Sequence, residues 1–218
     1  FDMDSTLVDM EIIDEMAQRA GVFKEVARIT EKARRGDIDF EESLTQRVAL
    51  LKGLKMEALE EIRNEMKLSE GAEELVETLK RLGFKLGLVS GGFDYFVNFL
   101  RERLGLDFAF ANQLEIKNGA LKCKVLGKIV DSTYKAKIVN MVSDQEGVLL
   151  DQTVAIGDGA NDGLMLGQAG LGIAYNAKEK LERAASMSLG RARLKNILYI
   201  LGISEDEMGS WSLCEGPA

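Results

Sequence analysis

From Gly71 onward, short apolar runs alternate with amphipathic stretches, and this alternation restricts the fold more than any other feature of the chain. Ala72, Leu75, Val76, Leu79 and Leu82 recur at helical spacing and stop at Gly83. Residues 84–89 then read as a buried strand that ends in Ser90-Gly91-Gly92, and residues 93–104 are helical again. Residues 108–111 form a short strand, and two further runs flank Asn118-Gly119, a hairpin signal because type I′ turns need positive φ at both positions. Helices are expected over 134–142, 162–169, 177–185 and 193–201, with strands over 153–156 and 171–174. Strands alternating with helices predict an α/β fold, a doubly wound and mostly parallel sheet covered on both faces, with a β-hairpin near 112–126.

Residues 9–69 carry a different pattern. Four apolar stripes at helical spacing end at or near Gly21, Gly36, Gly53 and Met66, which predicts a small helical bundle. The expected organisation is a core of residues 1–8 and 70–218, with residues 9–69 inserted as a helical cap after the first strand. The chain begins at Phe1, only one residue before Asp2, so further residues are expected upstream. In such sheets ligands bind beyond the carboxyl ends of the strands. Four segments share that position: residues 2–6, residues 90–92, the start of the helix at Tyr134, and residues 158–162. The insert directly follows the first of them.

Composition excludes several functions. The chain has 218 residues, 46% apolar and 29% charged, as in an ordinary globular protein. A formal charge of −8 and the lack of a basic patch argue against nucleic acid as a partner. No apolar run is long enough to span a bilayer, so no membrane partner is expected. Cys123 and Cys214 have no metal-type spacing and read as reduced thiols in a cytoplasmic protein. There is no histidine, so acid–base work near neutral pH falls to carboxylates, lysines, a tyrosine, a thiol or water. Oligomeric state is not legible.

The acids carry the chemistry. Asp2 and Asp4 lie one residue apart and, on an extended chain, point to the same side. Such a pair needs a cation, a shared proton or solvent between its members. A lone Asp-x-Asp is usually a solvated turn, but a second acidic cluster follows in Gly157-Asp158-Gly159-Ala160-Asn161-Asp162. Asp2 and Asp158 supply hard oxygen ligands suited to Mg²⁺, in a site poised for phosphoryl transfer. Ser90 and the N–H groups of Gly91 and Gly92 offer donors to a phosphate oxygen, although Ser-Gly-Gly after a strand is more often a plain turn. Lys135 and Lys137 are two positions apart and cannot share a helix face, so at most one reaches the site. An EF-hand calcium loop is disfavoured by the absence of alternating acids and a closing Glu.

In this order the segments resemble the haloacid dehalogenase superfamily of Mg²⁺-dependent phosphohydrolases. The carrying motifs are Asp2-Met3-Asp4-Ser5-Thr6, Ser90, Lys135 and Gly157-Asp158 with Asp162, and they cover the whole expected core. More narrowly the chain is similar to the phosphoserine-cleaving branch. Glu11, Phe40-Glu41-Glu42-Ser43-Leu44 with Arg47-Val48, and Val89-Ser90-Gly91-Gly92-Phe93-Asp94 carry that likeness. The resemblance implies that Asp2 attacks phosphorus and that Asp4 protonates the leaving alcohol and then activates water. It implies Mg²⁺ held by Asp2, the Asp4 carbonyl and Asp158, with Asn161 and Asp162 beside them. It implies that Ser90, Gly91 and Lys135, rather than Lys137, hold the phosphoryl oxygens. For phosphoserine as the small-molecule partner, Glu11 pairs with the ammonium and Arg47 grips the carboxylate. Phe40 either shields the closed site or belongs to the bundle core. The expected activity is the last step of serine formation. The rivals are another phosphomonoesterase or phosphotransferase of the superfamily, and a non-catalytic Mg²⁺ or phospho-ligand binding module.

Overall fold

The computed structural model describes residues 1–177, 179–190 and 192–209. Lys178, Cys214, Pro217 and the expected end of the core beyond residue 209 lie outside the described residues. Four helices come first: α1 (Ile12–Arg19), α2 (Phe23–Arg35), α3 (Phe40–Leu50) and α4 (Met56–Glu65). Then follow α5 (Ala72–Arg81), β1 (Gly87–Phe93), α6 (Asp94–Leu104), β2 (Phe108–Lys117), β3 (Ala120–Leu126) and α7 (Ser132–Glu146). The last part contains β4 (Val154–Gly157), α8 (Gly163–Gln168), β5 (Leu171–Tyr175), α9 (Glu179–Glu182), β6 (Met187–Leu189) and α10 (Ile197–Ile200).

The strands form two three-stranded sheets, β1-β2-β3 and β4-β5-β6. All pairs are parallel except the β2–β3 hairpin. Phe1 and Asp2 join the two sheets. The Phe1 nitrogen donates to the Gly87 carbonyl at 2.8 Å, and the Phe1 carbonyl accepts from Val89 N–H at 2.8 Å. Asp2 N–H donates to the Ile156 carbonyl at 2.9 Å on the other side. One apolar cluster packs Leu75, Leu79, Phe96 and Leu100 on one face and runs on into Met16, Leu44 and Leu59 of the first helices. Val89, Ile138, Ala155, Met165 and Leu166 form a second cluster. Each fully buried side chain of this size stabilises by roughly 1.5–3 kcal/mol, so both layers contribute.

Three expectations change. The first strand does not extend to Asp4: the N–H groups of Thr6, Leu7 and Val8 all donate to the Met3 carbonyl, winding the chain into a turn with Ser5 at φ 55°. The extended geometry assumed for Asp2 and Asp4 therefore gives way to a turn at Met3. β1 starts at Gly87, not Phe84, and runs through Ser90-Gly91-Gly92. Val89 pairs with Phe110 and Phe93 with Asn112, so four residue steps on β1 face two on β2. Ser90, Gly91 and Gly92 form the resulting bulge, a device that re-aims side chains. Finally, residues 108–111 are the first half of a ten-residue β2 that pairs with β1 and then with β3. The hairpin turn itself follows expectation, with Asn118 and Gly119 both at positive φ.

The helices α1–α4 leave and rejoin the rest of the chain through adjacent connectors. Asp9 N–H donates to the Lys67 carbonyl, and Ser69 N–H to the Leu7 carbonyl. The hairpin tip makes a second junction: Gly53 N–H donates to the Leu121 carbonyl, Leu121 N–H to Leu54, and Met56 N–H to Gly119. No described helix is long and apolar enough to cross a membrane.

Candidate active site

Two capped helices aim the side chains that meet at the strand ends. The Asp131 carboxylate accepts from Tyr134 N–H at 2.7 Å and so starts α7; an Asp N-cap of this kind contributes about 1 kcal/mol. This start turns Lys135 fully inward and leaves Lys137 exposed, which separates two lysines that periodicity could not. Asp39 caps α3 in the same way through Glu42 N–H, placing Phe40 and Arg47 on one inward helix face.

The Lys135 ammonium donates to Asp2 Oδ1 at 2.5 Å and to Asp162 Oδ1 at 2.7 Å. The other Asp162 oxygen accepts from Gly159 N–H at 2.9 Å, so Asp162 ties the acidic loop to the lysine. Gly157 makes this approach possible, since a Cβ there would lie 2.6 Å from Asp162 Cγ. Asp158 Oδ1 accepts from the Thr6 hydroxyl at 3.2 Å. Asp2, Asp158 and Asp162 each offer a carboxylate oxygen within 4.8 Å of the others.

Three acids therefore face one cation. Burial, then the Asp162 charge, pushes Asp2 up to about 6 against the pull of Lys135. Burial, then Asp2 and Asp162, pushes Asp158 up to about 7. Burial alone would lower Lys135, but Asp162 and Asp2 outweigh it and hold the ammonium charged above the usual lysine range. An oxygen-only cluster with surplus negative charge fits a hard divalent cation.

Asp4 sits beside this cluster. Its Oδ1 accepts from Ile12 N–H at 2.8 Å, at the start of α1. Burial, then Glu11 and Asp2, raises its carboxyl well above the ordinary range. Its Oδ2 and the Ser90 hydroxyl crowd the same spot, for a Cβ on Gly92 would lie 3.1 and 3.0 Å from them. Ser90 is fully buried and its Oγ accepts from Gly92 N–H at 2.8 Å. The Gly92 N–H expected to face a phosphate oxygen is therefore engaged within the bulge. The Phe40 ring lies against Gly91, 2.9 Å from where a Cβ would stand. Asn161 is half-buried, and its amide fills the space a Gly159 Cβ would need.

Arg47 is 9% exposed, and its Nε donates to the Ser43 carbonyl at 3.2 Å. Among the described residues its guanidinium makes no ion pair. Burial lowers its pKa, while Asp14 and Glu11 act in the opposite sense. Glu11 is exposed and accepts from the Ser5 hydroxyl at 3.0 Å. The structure thus brings Asp2, Lys135, Asp158 and Asp162 into direct contact or near contact, with Asp4 and Ser90 alongside. The hydroxyl contacts of Thr6 and Ser5 had no sequence signal beyond their place in the motif.

Residues 1–170 match the haloacid dehalogenase-like hydrolase family. This chain belongs to that family. A phosphoserine phosphatase of Archaeoglobus fulgidus is 53% identical over 92% of this chain and 58% of its own length. A phosphoserine phosphatase of Idiomarina loihiensis is 48% identical over 94% of this chain and 93% of its own. A solved phosphoserine phosphatase with a phospho-aspartyl intermediate analogue is 46% identical, covers 92% of this chain and 96% of its own, and superimposes with a TM-score of 0.86. The chain spans about half the length of several curated relatives of the family that it matches. Its α/β fold is that of these family members.

Proposed function

We propose that this chain hydrolyses O-phosphoserine to serine and phosphate through an aspartyl phosphate on Asp2, with Mg²⁺ as cofactor. The observation that carries the reading is the Asp2 carboxylate, held by a buried lysine within a cluster of three acids. Relatives named phosphoserine phosphatase, one of them covered over nearly its whole length, support the substrate. In this reading Asp2 and Asp158, with the Asp4 backbone carbonyl, hold the metal. Bound there, Mg²⁺ supplies charge neutralisation for the phosphoryl group.

The residues then divide the work. The Asp2 carboxylate attacks phosphorus, and the bond from phosphorus to the serine oxygen breaks. Asp4, whose raised pKa keeps a proton available, gives that proton to the departing alkoxide. Asp4 next takes a proton from water, the oxygen attacks phosphorus, and the Asp2 carboxylate is released. Lys135 orients Asp2 and, with Ser90 and Gly91, holds the phosphoryl oxygens, with Asn161 beside them.

The helices α1–α4 act as the proposed cap (residues 9–69) over a core of residues 1–8 and 70–218. Arg47 takes the substrate carboxylate, a partner that its buried guanidinium lacks among the described residues. Glu11 takes the ammonium, and Phe40 shields the phosphoryl site over Gly91. The reading includes a cytoplasmic setting, which suits the free, exposed Cys123.

The test is phosphate release from a panel of amino-acid, sugar and nucleotide monophosphates, with and without Mg²⁺. Phosphoserine is expected to be the preferred substrate, and Asp2→Asn to abolish turnover. Wild-type turnover by Asp2→Asn means the nucleophile is another residue.

A further inference from the structure

The bulge that carries Ser90 and Gly91 is completed by a side chain from the neighbouring strand. Because four steps of β1 face two of β2, the ladder leaves the middle of the bulge without a regular register partner. Asn112, fully buried on β2, fills that place. Its Nδ2 donates to the Gly91 carbonyl at 2.8 Å, and its Oδ1 accepts from Val130 N–H at 2.8 Å. The two partners leave only one orientation for the amide, since a carbonyl needs the NH₂ end and an N–H needs the oxygen.

These two bonds reach two separate parts of the site. Val130 directly precedes Asp131, the residue that caps α7 and so turns Lys135 inward. Gly91 C=O shares a peptide plane with Gly92 N–H, and the two point in opposite directions across it. Holding the carbonyl toward Asn112 therefore aims Gly92 N–H away from it, at Ser90 Oγ. With an oxygen lone pair taken by that N–H, the Ser90 hydroxyl keeps its own proton to donate. The chain of contacts runs from Asn112 to the 91–92 peptide and on to Ser90 Oγ.

We propose that Asn112 is a positioning residue that sets the donor direction of the Ser90 hydroxyl and registers it against Lys135. The inference rests on the reading that Ser90 holds a phosphoryl oxygen, and it does not depend on which monoester carries that group. Asn112→Asp separates the two bonds. Ionised, the carboxylate accepts from Val130 N–H but cannot donate to the Gly91 carbonyl; the cycle is read at high pH, where a buried carboxyl loses the proton through which it would mimic the amide. The peptide then loses its anchor while the route to α7 is kept.

A double-mutant cycle between Asn112→Asp and Ser90→Ala tests this, with kcat read on phosphoserine and on an aryl phosphate, and with inorganic phosphate affinity read by calorimetry. Ser90→Ala alone is expected to lower kcat about 100-fold, the scale of one lost oxyanion donor. Asn112→Asp alone is expected to lower kcat about tenfold on both substrates and to weaken phosphate binding. The double variant is expected to match Ser90→Ala, because both changes remove the same donor. Multiplicative losses, near 1000-fold, overturn the proposal, since Asn112 would then act independently of Ser90. An Asn112→Asp enzyme with wild-type kcat and phosphate affinity also overturns it. If Asn112→Asp does not fold, Asn112→Ser replaces it in the same cycle; because it gives up the Val130 bond as well, a combined loss smaller than multiplicative supports the proposal, and a fully multiplicative loss overturns it. If the wild type cleaves the aryl phosphate but not phosphoserine, the substrate assignment falls while the cycle on the aryl phosphate still tests Asn112. If neither is cleaved, the phosphate affinities of the four proteins decide in the same way.

Discussion

The strand-end half of the candidate site and the helical half differ in how fully their polar groups are partnered. At the strand ends the Lys135 ammonium, both oxygens of Asp162, the Asp158 carboxylate and the Ser90 hydroxyl all have partners from this chain. In the helices, Arg47 has one backbone bond for a buried guanidinium, and Glu11 has one bond to a serine hydroxyl. Reacting groups gain from being held before the substrate arrives, because reorganisation would otherwise add to the barrier. Recognition groups must instead keep bonding capacity for the ligand. In the proposed reading the chemistry is prebuilt, and the selection is left open for what binds.

The comparison breaks hardest at Asp2. Asp2→Asn removes the proposed attacking oxygen and is expected to cost on the order of 10⁴-fold or more in kcat, measured as steady-state phosphate release. If the strand-end half is truly interlocked, Lys135→Met must also weaken the fold. It leaves Asp2 and Asp162 buried without their cation, a loss of roughly 3–5 kcal/mol by urea denaturation without metal. A change near zero would mean the cluster tolerates an unpaired acid and is looser than its contacts imply.

The helical half predicts a different signature. Arg47→Ala and Glu11→Gln are expected to raise KM for phosphoserine by about 10- to 100-fold each, the scale of a lost charged contact. KM for an aryl phosphate, which lacks both charged groups, should stay within about twofold. Equal effects on the two substrates would sink the recognition role.

The smallest effect concerns pH. Asp2 and Asp158 are raised in the folded chain, to about 6 and about 7, above the ordinary value near 3.9 that each regains when unfolded. For a raised acid the folded state binds the proton more tightly, so its contribution to stability is greatest at low pH. That contribution is lost as pH rises from about 4 to about 7. In chelator, the Asp158→Asn variant should therefore gain thermal stability relative to wild type as pH rises from 5.5 to 8. Added divalent cation should stabilise wild type most at pH 8, where both acids are ionised, and progressively less as pH falls through 7 and 6. An equal gain at pH 5.5 and pH 8 would show that the cation binds elsewhere.

Much of the molecule was legible in the chain itself. Helix boundaries followed apolar stripes and the glycines that close them, as at Gly36 and Gly83, because these are local properties of 3.6-residue periodicity. The Asn118-Gly119 turn was legible for the same reason, since positive φ is a single-residue preference. The acidic and glycine-rich motifs were legible as motifs. What failed was geometry that depends on a neighbour. Residues 2–8 looked like a strand end, yet the Met3 carbonyl gathers three N–H groups into a turn. Ser90–Gly92 looked like a turn after a strand, yet β2 pairs with β1 on both sides of it and makes it a bulge. β6 is only three residues long, too short for its alternation to read as a strand, and it forms by pairing with β5.

The sequence by itself determined the layered α/β plan, the helical insert and the residue types available for phosphoryl chemistry, because periodicity and composition act over a few residues at a time. Only the tertiary structure decided which lysine meets Asp2, across 133 positions of chain, and which asparagine closes the bulge beside Ser90. Those contacts are hydrogen bonds a few ångströms long between distant segments. Their partners are chosen by the packing of sheets and helices, not by anything adjacent in the chain.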